Sequence, residues 1–187
     1  MSNAREQILM TTRSLIERQG YHATGLNQII QESGCPKGSL YYYFPGGKEE
    51  LVLEAMRQAG DEILQRIQAT LAQTDDPVKA VQVFIETLAY YVEQSGFQAG
   101  GPMTIIAVET ASSNVRLREE CQRIYQMWQA AFIEKLVSAR VPSERAESVT
   151  MVILAAIEGG IILCRTAQSR APLDHIAAYI PLLIPSV

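Results

Sequence analysis

The stretch Leu26-Asn27-Gln28-Ile29-Ile30-Gln31-Glu32-Ser33-Gly34-Cys35-Pro36-Lys37-Gly38-Ser39-Leu40-Tyr41-Tyr42-Tyr43-Phe44 decides the fold. Leu26, Ile29 and Ile30 fall on one face of a short helix, Gly34, Cys35 and Pro36 break it, and a second helix from Lys37 to Phe44 turns Leu40 and Phe44 inward. Two short helices across a tight turn make a helix-turn-helix. The outward face of the second helix carries Lys37, Gly38, Ser39, Tyr42 and Tyr43, donors able to approach a polyanion, so the pattern implies a surface that reads DNA. Consecutive helical residues rotate by about 100°, so the three tyrosines cannot all be exposed, and Tyr41 is expected to pack inward.

Upstream, Ile8, Leu9, Thr12, Leu15 and Ile16 recur at helical spacing between Arg5 and Gln19, and Gly20 supplies the stop. Thr24 is expected to cap the next helix, leaving its first amides open to phosphate. Downstream, Pro45-Gly46-Gly47 makes a tight turn, and Lys48, Glu49 and Glu50 open a long helix to about Thr74. Asp76 and Pro77 start a helix over 78–94, a short helix covers 103–111, and Asn114 caps a longer one to about Ala139. Ser143 opens a helix to about Ser169, and a last one runs from Leu173 to about Leu183, bent or ended early by Pro181. No strand-period run, internal repeat or low-complexity linker interrupts this order. The expected architecture is all-α, with about nine helices. Residues 1–47 form a three-helix helix-turn-helix DNA-binding domain, and residues 48–187 a larger helical ligand-binding and dimerisation domain.

A chain of 187 residues that is 48% apolar can bury a substantial core. Its three cysteines, Cys35, Cys121 and Cys164, are too scattered for a disulfide framework and fit a reducing, cytoplasmic setting. His22 and His175 lack acidic and cysteine neighbours at ligand spacing, so no metal and no cofactor is expected. The most apolar segment, Val149 to Cys164, is interrupted by Glu158 and two glycines and falls short of about 18 unbroken apolar residues, so no membrane span is expected. Net charge is −4, and in the first fifty residues Arg5, Arg13, Arg18, Lys37 and Lys48 balance Glu6, Glu17, Glu32, Glu49 and Glu50. That balance excludes a protein that coats nucleic acid through a broad basic field. A few phosphate contacts, made by two copies together, suffice instead.

In the larger part, Phe84, Leu88, Tyr91, Phe97, Met103, Ile106, Ile124, Met127, Trp128 and Phe132 are candidates to line a cavity for a large, flat, apolar small-molecule effector, with ordinary core as the competing reading. Glu109 and Arg165, each beside an apolar run, are the charges expected to face inward, as pocket groups or as a structural pair. The helix from Ser143 and the last helix are apolar around too much of their circumference for a monomer surface, and Gly159-Gly160 permits close backbone approach. Two such helices from each subunit would make a four-helix interface in a homodimer.

The head that contains Gly20-Tyr21, Thr24, Ile29, Gly34, the run Lys37-Gly38-Ser39-Leu40-Tyr41-Tyr42-Tyr43-Phe44, and Lys48-Glu49 with Leu51 resembles that of the TetR-type transcriptional repressors. The run with Pro45-Gly46-Gly47 before the lysine looks most like the drug- and flavonoid-sensing subgroup. The resemblance implies a homodimer on double-stranded operator DNA, each recognition helix in a major groove, with effector binding changing the spacing of the heads. Position by position, it implies that Lys37 and Gly38 approach base edges, Tyr42 and Tyr43 approach phosphates, and Thr24 and Lys48 approach the flanking backbone. Two departures stand out: Tyr43 replaces the more usual histidine, and the turn from Phe44 to Lys48 is one residue longer than in many members. The competing function is an all-helical carrier or enzyme with a merely structural head. Against an enzyme, the sequence has no glycine-rich phosphate loop, no His/Cys cluster and no Ser-His-Asp set.

Overall fold

The computed structural model describes residues 4–184. Among these the chain forms nine helices and no strand: α1 (Ala4–Gln19), α2 (Leu26–Ser33), α3 (Lys37–Tyr43), α4 (Gly47–Leu71), α5 (Pro77–Gln94), α6 (Pro102–Thr110), α7 (Val115–Ser138), α8 (Ser143–Ala167) and α9 (Ala171–Leu183). The all-helical class and the order of elements match the expectation from the sequence. Pro181 lies inside α9 without ending it, because the helix continues to Leu183.

The chain separates into two compact units. The first comprises the described residues up to Asp61 together with Pro102–Ile124, so α6 and the start of α7 belong with α1 to α3. The sequence division at residue 47 followed the end of the motif, whereas this unit is defined by the return of a distant segment. Its core is Ile8, Leu9, Leu15, Ile29, Leu40, Phe44, Leu51 and Ala55, with Leu26, Ile30, Cys35 and Tyr43 packed against it. Polar ties reinforce it. Arg5 pairs with Glu54, Gln58 donates to Glu6 at 2.6 Å, and the buried Glu120 accepts from both Arg57 and Arg123. Asn114 caps α7 as expected, its side-chain oxygen accepting the Leu117 amide at 3.0 Å.

The second unit comprises Glu62–Gly101 and the described residues from Tyr125 onward. Asp76 caps α5 through the amides of Val78 and Lys79, and Pro77 occupies the first turn, where its missing N–H is harmless. Ala80, Val81, Ile85, Ala89 and Val92 form the buried stripe of α5, which packs against α8 and α9. A Cβ on Gly160 would lie 2.6 Å from Ile176 and 2.7 Å from Leu173, so the glycine sets how closely α9 approaches α8. By length and hydropathy α8 meets the requirement for a membrane span, which its central segment alone does not. Its Ile153, Leu154, Ile157, Ile161 and Cys164 are nevertheless buried in this unit.

Phe44 is fully buried where α3 meets the rest of its unit. Phe44→Ala should lower stability by about 3 to 5 kcal/mol through lost burial and the cavity left behind. Urea unfolding followed by circular dichroism measures it.

Candidate nucleic-acid interface

Helix α2 ends at Gly34, whose φ of 64° is the left-handed conformation that glycine adopts without strain. Pro36 then opens α3, and the Ser39 amide closes the first turn on the Pro36 carbonyl at 2.9 Å. Leu40 and Phe44 are both fully buried and fix the rotation of α3. Lys37 and Gly38 consequently face solvent, Ser39 is half-buried, and Tyr42 is 79% exposed.

The inward tyrosine is Tyr43, not Tyr41. Tyr43 packs on the core of the first unit, whereas Tyr41 is 44% exposed. Tyr41 lies one turn from Lys37 on the same face, and the Lys37 ammonium sits 5.9 Å from its ring centroid. A charge that must stay in water thus draws Tyr41 out with it. Tyr43 retains only a half-buried edge and stacks edge-on against Tyr42.

Thr24 also departs from expectation. It is fully buried, its hydroxyl donates to the Gly20 carbonyl at 2.7 Å, and the residue at the cap of α2 is Gly25, with no side-chain cap. The hydroxyl closes the loop on itself instead of reaching the helix or solvent.

The loop between α1 and α2 is gripped from two sides. The Lys48 ammonium donates to the Tyr21 carbonyl at 2.6 Å and lies 4.1 Å from the Tyr21 ring centroid. Burial lowers the Lys48 pKa, and the nearby Glu109 carboxylate opposes that shift. Glu109, on α6, accepts the His22 amide at 2.9 Å, and its backbone carbonyl is 3.2 Å from the His22 ring Nε2. Gly20 has a φ of 88°, and a Cβ built on it would lie 2.0 Å from a Glu109 carboxylate oxygen. Next to this, Glu49 accepts from Asn114 at 2.8 Å and Arg116 at 2.6 Å, tying the first turn of α4 to the start of α7. On α2, hydrogen bonds from Gln28 and then Arg18 hold the Glu32 carboxyl below its usual range. No local pattern signals the Glu109 contact, because Glu109 and His22 stand 87 residues apart.

The effector-pocket candidates divide between the units. Met103, Ile106 and Ile124 are buried in the first, where Glu109 is half-buried and engaged with His22. In the second, Phe132 is fully buried and Phe84 meets it edge-on at 5.4 Å, while Trp128 is buried and contacts Tyr125. Leu88, Phe97 and Met127 are half-buried, and Tyr91 is exposed beneath the Arg66 guanidinium. Among the described residues, no group of three or more His, Cys, Asp or Glu side chains is placed to hold a metal ion.

Residues 8–55 match the profile of bacterial regulatory proteins of the tetR family, and residues 77–179 match that of the LmrA/YxaF-like transcriptional regulator C-terminal domain. The chain belongs to the TetR family. It is 42% identical to the Bacillus subtilis HTH-type transcriptional regulator YxaF, over 97% of this chain and 95% of that one. It is 41% identical to LmrA of the same organism, over 97% of each chain. The fold is shared with a regulatory protein TetR from Rhodobacter sphaeroides, at a TM-score of 0.90 and 16% identity, covering 98% of this chain and 100% of that one. This TetR-family chain is therefore a helix-turn-helix DNA-binding transcriptional regulator and not an enzyme.

Two outcomes follow from the geometry. Gly20→Ala should destabilise the first unit by more than about 1 kcal/mol, combining strain at positive φ with displacement of the Glu109 carboxylate, as thermal unfolding would register. Burial pushes the Cys121 thiol up to about 11 and the neighbouring Glu120 charge adds to the shift, so the thiol stays protonated at pH 8. Mass spectrometry after brief alkylation at that pH should find Cys121 unmodified in the folded protein.

Proposed function

We propose that this TetR-family regulator is a cytoplasmic repressor that binds a palindromic operator as a homodimer and is released by a small apolar or aromatic effector. The observation that carries the reading is the outward face of α3, where Lys37, Gly38 and Tyr42 are exposed above a buried Leu40 and Phe44. Lys37 and Gly38 are assigned to base edges, with Ser39, Tyr42 and the exposed edge of Tyr43 at the phosphates. Two recognition helices about 34 to 36 Å apart, or at a wider multiple, would meet successive major grooves on one face of a duplex.

The homodimer is supported by a row of exposed apolar side chains in the second unit: Met151, Val152, Ile162 and Leu163 on α8, and Tyr179 and Leu182 on α9. Gly159 lies within that row on α8, and a Cβ there would meet nothing within 4 Å, leaving room for another backbone. A surface of this kind on a soluble chain marks an association site. No membrane partner is needed to cover it. For the effector, Phe84, Trp128 and Phe132 offer flat apolar faces, which suits the drug or flavonoid class. Release then requires that the effector bind the non-operator state more tightly than the operator-bound one.

Selection of genomic fragments by the purified protein should enrich a palindrome, and absence of any enriched palindrome would end this reading. Lys37→Ala and Tyr42→Ala should each weaken operator binding about fivefold or more in a gel shift while the dimer persists, reflecting loss of contacts of about 1 to 3 kcal/mol. Ile162→Asp combined with Leu182→Asp should give a monomer by sedimentation velocity, because two carboxylates would be buried without partners.

A further inference from the structure

The Tyr21 carbonyl and the His22 N–H belong to one peptide unit. Lys48 from α4 donates to its oxygen at 2.6 Å, and Glu109 from α6 accepts from its N–H at 2.9 Å. A cation at the oxygen end and an anion at the N–H end both align with the peptide dipole, and charge-assisted hydrogen bonds are the stronger kind. We propose that this double clamp makes Lys48 and Glu109 positioning residues for operator binding, neither of which contacts DNA. The proposal rests on operator binding by the α3 face and reassigns Lys48, which the family resemblance would set against a flanking phosphate.

Three observations favour the clamp over a phosphate contact. First, the Lys48 side chain is half-buried, and its ammonium is held by both the carbonyl and the ring of Tyr21. To reach a phosphate it would have to leave both. Second, the Glu109 carboxylate fills the space beside Gly20, where no larger residue fits without moving it. Third, the gripped peptide lies just ahead of α2, whose cap is Gly25 with no side-chain bond to hold it. With that cap bare, the entry to α2, and through the Gly34 turn the aim of α3, depends on a loop held from α4 and α6.

The sign of the charge effect separates positioning from electrostatics. Removing an acidic group from a DNA-binding head ordinarily strengthens binding, but removing Glu109 should weaken it. Operator affinity of the full-length protein would be measured by fluorescence anisotropy across a salt series, on a duplex recovered by genomic selection. Glu109→Ala should bind about tenfold or more weakly, whereas Glu109→Gln, which keeps an acceptor for the His22 amide, should remain within about twofold of the parent. Lys48→Met should weaken binding without changing the slope of log affinity against log salt. Lys37→Ala, the reference for loss of the α3 face, should weaken binding about fivefold or more, and parent-like binding by it would count against the α3 reading alone. Hydrogen exchange at the His22 amide should be slow in the parent and in Glu109→Gln and faster in Glu109→Ala, a readout available even if the alanine variant is partly unfolded. Equal or tighter operator binding by Glu109→Ala, a slope lowered by about one in Lys48→Met, or fast His22 exchange in the parent would each overturn the proposal.

Discussion

The burial of Leu40 and Phe44 is the constraint on which the reading head depends. Helix α3 has seven residues, too few for its own hydrogen bonds to keep it formed or to fix its rotation. The contact of those two side chains with the core of α1, α2 and α4 does so, with Tyr43 packed against the same core. A rotation by one residue would bury Lys37 or Tyr41 and expose an aromatic ring. The exposed set on α3 is thus a consequence of what is hidden.

The second unit follows a different logic. Its helices are apolar on more than one side, so α5 can be covered by α8 and α9 while α8 and α9 still carry apolar side chains outward. Adjacent glycines divide these roles. Gly160 lets α9 close on α8, while Gly159, one residue earlier, points to open space. Hydropathy alone cannot separate these circumstances from a bilayer, which is why α8 satisfies a length and composition test for spanning.

The helices among the described residues were legible where local punctuation marked them: Gly20 and Gly34 as stops, Asp76 and Asn114 as caps, Pro77 in a first turn. The helix-turn-helix was legible for the same reason, since its hydrophobic spacing and its turn sit within one short window. What misled was competition between neighbours of similar character. Tyr41 and Tyr43 flank the Leu40 and Phe44 axis almost symmetrically, and the tie was broken by Lys37 one turn away. Thr24 is a good cap by residue type, but Gly25 holds the cap position of α2, and the Thr24 hydroxyl donates to the Gly20 carbonyl. Glu109, beside an apolar run, was expected to face inward, as a pocket group or as one of a structural pair. It accepts a backbone amide in a loop far away along the chain, a contact that no periodicity encodes.

The first unit is assembled from two separated pieces of sequence, with α6 and the start of α7 packed beside α1 and the opening of α4. For protein engineers, this changes where a chimera should be cut. A hybrid regulator made by transplanting only the N-terminal helices onto a foreign body would leave the loop around Tyr21 and His22 without its acidic anchor, and Glu49 without Asn114 and Arg116. The portable module is discontinuous, and a faithful graft carries both segments.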